Sequence, residues 1–201
     1  MKHWIKESLT FGVLIALMVG HGGISRGMEA PEWEVPKGAT GAMVIPVSDE
    51  VLLCKVKEAL SETGVRMGTL RKVDLDDYGM VYVSESKEGK RPVLARLVAR
   101  RVPCGDCHDV FFLYVFDSSR ILRFIPVSIT KRYNKPWTAD DVGKIEKRFI
   151  GRDFSEKVPF NPAVDAVTSA TMSSKIVFNS LNETRQVYKR LAELGYVSKG
   201  H

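Results

Sequence analysis

A single α+β domain, in which helices flank an antiparallel sheet, is the fold class that this 201-residue sequence predicts. Strand-like runs follow one another in the middle of the chain, and amphipathic helical segments border them on either side. The composition is that of an ordinary globular protein, with 44% hydrophobic and 27% charged residues. Strands grouped together, rather than alternating with helices, favour an antiparallel sheet. We expect the domain to cover residues 49–197.

The first 30 residues have the pattern of a targeting segment. Lys2 and Lys6 precede an apolar run from Leu9 to Val19, and small residues follow. This order is typical of a secretory signal peptide. The run is shorter than the roughly 20 residues that span a bilayer, which favours a cleaved signal peptide. An uncleaved signal anchor is the alternative interpretation. Both predict export to the periplasm or to the outer face of the cytoplasmic membrane.

A linker and a helix come next. Residues 31–48 contain several prolines and glycines and predict an extended linker. Ser48 is a suitable N-cap for a helix that continues to Leu60. Its apolar residues Leu52, Val56 and Leu60 recur at helical spacing, so this helix should lean on a core.

Four segments then have strand-like sequences. Residues 80–83 and 92–102 predict one pair, with 87–90 as the turn between them. Residues 110–116 and 121–127 predict a clearer hairpin, because they are rich in aromatic and β-branched residues and are separated by a short polar turn.

Two helices are predicted after the strands. Thr138 and Asp141 form a capping box for a helix that ends at Phe149, before Gly151. A terminal helix begins after residue 171, and its apolar row has the spacing of a core-facing stripe. That row consists of Val177, Leu181, Tyr188, Leu191 and Leu194.

The charge pattern does not indicate nucleic-acid binding. The formal net charge is +6, and basic residues cluster at positions 87–91 and 96–101. No aromatic platform or nucleic-acid motif accompanies them, so we interpret both clusters as a solvated basic face and expect no nucleic-acid partner.

The sequence also lacks a Ser-His-Asp arrangement and a nucleotide-phosphate loop, which disfavours a hydrolase or an NAD-dependent enzyme.

The most informative motif is Asp165-Ala-Val-Thr168-Ser169-Ala170-Thr171, directly ahead of the terminal helix. Hydroxyl groups at a helix start lie beside unpaired backbone N–H groups, and the helix dipole favours an anion there. Ser173 and Ser174 add two more hydroxyls. An ordinary helix cap is the simpler interpretation of such a segment, and a phosphate-bearing site is the functional one.

The complete seven-residue pattern resembles the flavinylation motif of the FMN-binding domain family, which includes covalently flavinylated subunits of the Rnf complex and of the sodium-pumping NADH:quinone oxidoreductase. The resemblance implies FMN attached through its phosphate to Thr171, with Asp165, Thr168, Ser169, Ala170, Ser173 and Ser174 around it. It also implies a flavin transferase as the maturation partner. The family usually has glycine at the position of Ser169.

A weaker part of the resemblance lies upstream. In the family, a strand pair precedes a loop that covers the flavin ring, and residues 128–137 occupy that position here without the family's Glu-Thr-Pro-Gly segment. Tyr133 and Trp137 are candidate stacking partners for the ring, and ordinary loop packing is the alternative.

A second motif is Cys104-Gly-Asp-Cys107-His108. This spacing is that of c-type haem attachment, with the histidine as an iron ligand. Met67, Met80 and His201 are candidate distal ligands. A disulfide, a thiol redox pair or part of a metal site are the alternatives, although zinc would lack a fourth ligand.

Together these observations predict an exported electron-transfer flavoprotein that carries covalent FMN and has a candidate haem site. Membrane-associated redox proteins are its expected partners. A monohaem cytochrome without flavin, or a disulfide-stapled binding module without redox function, are the alternatives. We expect an electron carrier or redox subunit rather than a stand-alone enzyme.

Overall fold

The computed structural model describes residues 46–64, 67–86, 92–102 and 109–198. Helices α1, α2, α3, α4 and α5 cover Asp49–Ser61, Ala139–Phe149, Pro162–Asp165, Thr171–Asn182 and Thr184–Glu193. Strands β1, β2, β3, β4 and β5 cover Met67–Leu75, Gly79–Ser86, Val93–Arg100, Val110–Phe116 and Ile121–Ser128. The predicted signal segment, most of the linker and the turn at 87–90 lie outside the described residues.

The five strands form one antiparallel sheet in the order β1-β2-β3-β4-β5, so each strand pairs with its neighbour in sequence. The predicted α+β class, with an antiparallel sheet and flanking helices, is confirmed. Strand β1 was not predicted. It is an edge strand in which Val73 and Leu75 are buried while polar residues stand between and beside them, so its apolar signal is weak.

Helix α1 covers one face of the sheet. Ser48 caps it as predicted, because the Ser48 hydroxyl accepts a hydrogen bond from the N–H of Val51. The expected row Leu52, Val56 and Leu60 is buried. The core on this face consists of Leu52, Val56, Ala59, Leu60, Tyr82, Val93, Ala95, Leu97, Leu113 and Val115.

The opposite face of the sheet supports the C-terminal half of the chain. Successive strand residues point to opposite faces, so Phe112, Tyr114 and Phe116 turn away from α1. Phe116 meets Phe154 edge-on with ring centroids 6.4 Å apart, and Phe154 packs on Tyr188 of α5. Because both faces are covered, every residue of β4 is buried.

Arg96 departs from the predicted basic face. Its side chain is fully buried and donates to Tyr78 O at 2.8 Å, to Ser180 O at 3.1 Å and to Tyr114 Oη at 3.2 Å. It also forms an ion pair with Glu183 at 2.9 Å. Strand alternation places Arg96 on the face covered by α4 and α5, so the prediction of a solvated position is wrong for this residue.

The predicted single terminal helix is two helices. Glu183 lies between α4 and α5, and its carboxylate is bound by Arg96. Thr184 donates its hydroxyl to Leu181 O at 2.6 Å, which gives the freed carbonyl a partner at the break. Leu194, expected in the core row, is 45% exposed because it follows the last turn of α5.

Candidate functional site

The threonine motif ends at the first residue of α4. Thr171 opens this 12-residue helix and is exposed. Ala170 is the N-cap residue and has no side chain that could accept from the first turn. The N–H groups of Thr171, Met172 and Ser173 therefore have no side-chain cap in the described part of the chain, and Thr171 and Met172 are exposed.

Ser169 has a left-handed backbone, with φ of 62°. Glycine adopts this conformation without steric cost, whereas an L-residue with a side chain is strained by roughly 1–2 kcal/mol. Glycine is usual at this position in the flavinylation motif that the segment resembles. Ser169 and Thr168 are both exposed, so their hydroxyls lie on the same accessible turn as Thr171.

Ser174 and Ser173 lie on the inner side of this turn. Ser174 is fully buried, and its hydroxyl accepts from Val167 N at 2.9 Å and donates to Ala170 O at 3.0 Å. Ser174 therefore braces the turn from below. Ser173 is 7% exposed, so its hydroxyl is also largely covered.

Asp165 lies below the motif, not on its surface. The residue is 2% exposed, and Oδ2 accepts the backbone N–H of Asn161 at 2.8 Å. Oδ1 lies 3.2 Å from Arg148 Nε, which is a close charge contact although the N–H does not point at the oxygen well enough to form a hydrogen bond. The carboxylate is thus neutralised from α2.

The upstream loop lies against the motif. Arg132 donates its backbone N–H to Ser169 O at 3.1 Å, which joins the 128–137 loop to the threonine turn. Tyr133 is 77% exposed, whereas Trp137 is only 8% exposed. Of the two aromatic candidates, Tyr133 is therefore the ring that a ligand could reach without rearrangement.

Left-handed backbone is concentrated where these two loops meet. Within the described residues, the non-glycine positions with positive φ are Tyr133, Asn134 and Ser169. All three belong to the pair of loops joined by the Arg132–Ser169 hydrogen bond. Strained backbone of this kind collects at functional sites, where the surrounding structure holds it in place.

Two buried donors on the same loop have no hydrogen-bond partner in the described part of the chain. They are the indole Nε1 of Trp137 and the hydroxyl of Thr130. A buried polar group without a partner costs about 1–3 kcal/mol, so such groups are uncommon. Such donors usually bind a water molecule or an acceptor atom of a ligand.

Helix α2 supports both loops from one side. Lys131, at the start of the upstream loop, forms an ion pair with Asp141 in the first turn of α2. Lys144 Nζ donates to Ala166 O at 3.4 Å, and Arg148 contacts Asp165. These helix positions recur at i, i+3 and i+7, which places them on one face.

The capping box of α2 is formed as predicted. Thr138 N–H donates to Asp141 Oδ2 at 2.8 Å, and Asp141 N–H donates back to the Thr138 hydroxyl at 3.4 Å. Burial by itself would raise the pKa of Asp141, but hydrogen bonds from Lys131 and Thr138 outweigh it and lower that pKa.

The local charge is positive. Lys131, Arg132, Lys144 and Arg148 all contact the two loops or the helix that supports them, while Asp141 and Asp165 are paired and largely buried. Sequence reasoning did not identify Lys144 and Arg148. Their i, i+4 spacing on a predicted helix was visible, but nothing in the sequence indicated which segment they would face.

A small cavity lies away from the motif. Its volume is about 10 Å³, room for about one water and far too little for an aromatic ring. It includes none of the motif residues and is lined, among others, by Ile121, Phe149, Phe154, Val158, Leu181 and Asn182.

The second sequence motif, Cys104, Cys107 and His108, lies outside the described residues, and its assignment stays a prediction. Met80, one of the candidate distal ligands, packs against the α1 core. In the described ranges, no cluster of three or more His, Cys, Asp or Glu side chains is placed to hold a metal ion. No helix within those ranges has the length and apolar character to cross a membrane.

Comparisons with known proteins found no relatives: no family model matches the chain, and neither a curated protein nor a solved structure matches it. Functional inference therefore depends on the motif and on the geometry around it.

Proposed function

We propose that this protein is an exported electron-transfer flavoprotein that carries FMN, attached through its phosphate to Thr171. The observation on which this depends is the exposure of Thr171 at the first turn of α4, where backbone N–H groups have no side-chain cap. Exposure admits a modifying enzyme, and the N–H groups stabilise a phosphodiester anion. The left-handed Ser169, in the place of the family's glycine, supports the same assignment.

The residues present fit a flavin phosphate. The Thr168 and Ser169 hydroxyls and the first-turn N–H groups of α4 would hold the phosphate, and Tyr133 would contact the ring. Ala170 is small and allows close approach. Bound flavin supplies one- and two-electron transfer, and the protein supplies position and electrostatics.

Attachment needs an activated donor, because a hydroxyl does not displace water from a phosphate monoester readily. A flavin dinucleotide provides one. The Thr171 oxygen forms a bond to the flavin-side phosphorus, the pyrophosphate bond breaks, the nucleoside monophosphate leaves, and the hydroxyl proton passes to a base of the transferase. No electrons change hands in this step, so attachment is independent of the redox state of its surroundings.

Intact-mass spectrometry tests the proposal. The full chain is expressed with and without a flavin transferase, and we expect one FMN, less water, only when the transferase is present. Thr171→Val should remove the added mass, Thr171→Ser should restore it in part, and Thr168→Val should keep it, whatever its effect on the rate. An unmodified wild-type chain, or an adduct that survives in Thr171→Val, contradicts the assignment.

The same measurement reads out the haem motif. We propose haem c at Cys104 and Cys107, with His108 as an iron ligand, as a second redox group in the same chain. Expression with haem-attachment machinery should add one haem and a sharp Soret band. Haem without flavin would favour the monohaem cytochrome, and neither group would favour the disulfide-stapled binding module.

A further inference from the structure

Arg148 contacts the segment ahead of the threonine motif, although it takes no part in the proposed attachment reaction. It projects from the last turn of α2 and is one-third exposed. Its Nη2 donates to Pro159 O at 3.1 Å, and its Nε lies 3.2 Å from Asp165 Oδ1. Arg148 therefore contacts both ends of the short segment that leads into the threonine motif.

That segment also contacts α4, because Phe160 packs edge-on against Phe178 with ring centroids 5.1 Å apart. Asp165 accepts from Asn161 N, and the Asn161 side chain accepts from Ala163 N at 3.0 Å. These hydrogen bonds shape the turn but do not attach it to α2. The attachment to α2 is made by Arg148, with a longer contact from Lys144 to Ala166 O.

We propose that Arg148 is a positioning residue for flavin attachment, which it promotes by neutralising Asp165 and holding it beneath the motif. The inference rests on the function proposed above. A bare carboxylate six residues before Thr171 would repel an incoming phosphate, and a mobile one would let the turn shift. Paired with Arg148 and 2% exposed, Asp165 does neither.

The test is transfer kinetics with purified transferase and full-length chain as the substrate. Because a misplacement of about 1 Å costs up to 100-fold in rate, we expect Arg148→Met to lower kcat for transfer about tenfold. The KM for the chain should stay close to that of the wild type. Lys147→Met, at the exposed neighbouring position on α2, is the matched control and should transfer at the wild-type rate.

A double variant tests whether Arg148 acts through the charge of Asp165. Asp165→Asn removes the charge that Arg148 neutralises, so Arg148→Met with Asp165→Asn should transfer faster than Arg148→Met alone. Thermal unfolding of every variant shows whether a loss of rate follows a loss of fold. Arg148→Lys keeps the charge and should transfer faster than Arg148→Met; if Arg148→Met does not fold, Arg148→Gln is the neutral variant in this comparison.

The outcomes separate the two proposals. A wild-type chain that acquires no flavin overturns both. Flavin on the wild type, with equal kcat for Arg148→Met, overturns only the role of Arg148. A double variant no faster than Arg148→Met also overturns it, because Arg148 would then not act through the charge of Asp165.

Discussion

The two ends of helix α4 differ in how completely their polar groups are paired. At its C-terminal end, Ser180 and Glu183 bind the buried guanidinium of Arg96. At its N-terminal end, Thr171 is exposed, no side chain of the described residues caps the first turn, and Ser169 is left-handed. One end belongs to the structural core, whereas the other leaves its first-turn N–H groups without a side-chain cap.

The difference shows where the helix gains its stability. The Arg96 cluster joins β3 to the junction of α4 and α5, and the Arg96 side chain that makes its hydrogen bonds is fully buried. Burial alone would lower the pKa of Arg96, but Tyr114 and Glu183 outweigh it and raise that pKa, so the residue stays charged. With one end anchored in this way, the other can carry strained backbone and free N–H groups.

The largest expected effect on stability is at the C-terminal end of α4, where Arg96 binds. Arg96→Met leaves Tyr78 O, Ser180 O and the Glu183 carboxylate without their shared donor, so we expect a loss of about 3 kcal/mol or more in the free energy of unfolding. Urea denaturation measures it. Arg100→Met is the control, because Arg100 lies 3.7 Å from Glu183 and should contribute less. Equal losses for the two variants would show that the anchor is not specific to Arg96.

A smaller effect is expected at Asp141, which connects α2 to the upstream loop. Asp141→Asn removes the ion pair with Lys131 and should cost about 1 kcal/mol at neutral pH, as for other helix caps. Because folding lowers the pKa of Asp141, its contribution is complete above about pH 4 and is lost as pH falls through the lowered pKa.

Urea denaturation at several pH values between about 2 and 6 checks this second prediction. The wild-type and Asp141→Asn curves should converge at the acidic end. A gap between them that stays constant with pH would mean that charge at Asp141 does not contribute to stability. Asp140→Asn, at an exposed position in the same turn, serves as the control.

At the N-terminal end of α4, relief of backbone strain should stabilise the protein. Ser169→Gly removes a left-handed L-residue, and we expect a gain of about 0.5–1 kcal/mol after the greater flexibility of glycine in the unfolded chain is counted. Thr168→Gly, in the same turn but without positive φ, should instead be destabilising. Thermal denaturation of both variants decides whether backbone strain is present at this turn.

The smallest change in stability is expected for Thr171→Val. The side chain is exposed and its hydroxyl caps nothing in α4, so the free energy of unfolding should change by less than about 0.5 kcal/mol. Urea denaturation of the unmodified protein measures this. A larger loss would mean that the Thr171 hydroxyl has a structural role, and that loss of flavin in this variant cannot be interpreted as loss of the attachment point.

Local signals predicted most of the fold. The Ser48 cap, the Thr138–Asp141 capping box and the aromatic hairpin are each decided by residues close in sequence, and each appears in the structure. Strand β1 was missed because, of its described side chains, only Val73 and Leu75 are buried, which leaves a weak apolar signal. The break at Glu183 was not predicted, and Arg96, which binds the Glu183 carboxylate there, lies 87 residues away in the chain.

The sequence by itself determined helices α1 and α2, strands β2 to β5 and the threonine motif ahead of α4, because capping, periodicity and turn chemistry act over a few residues. Only the tertiary structure decided that Arg96 is buried, that the 128–137 loop meets Ser169, and that Arg148 pairs with Asp165. These contacts join segments separated by tens of residues or by a change of element. Their partners are therefore chosen by the packing of the sheet and helices, which no local pattern specifies.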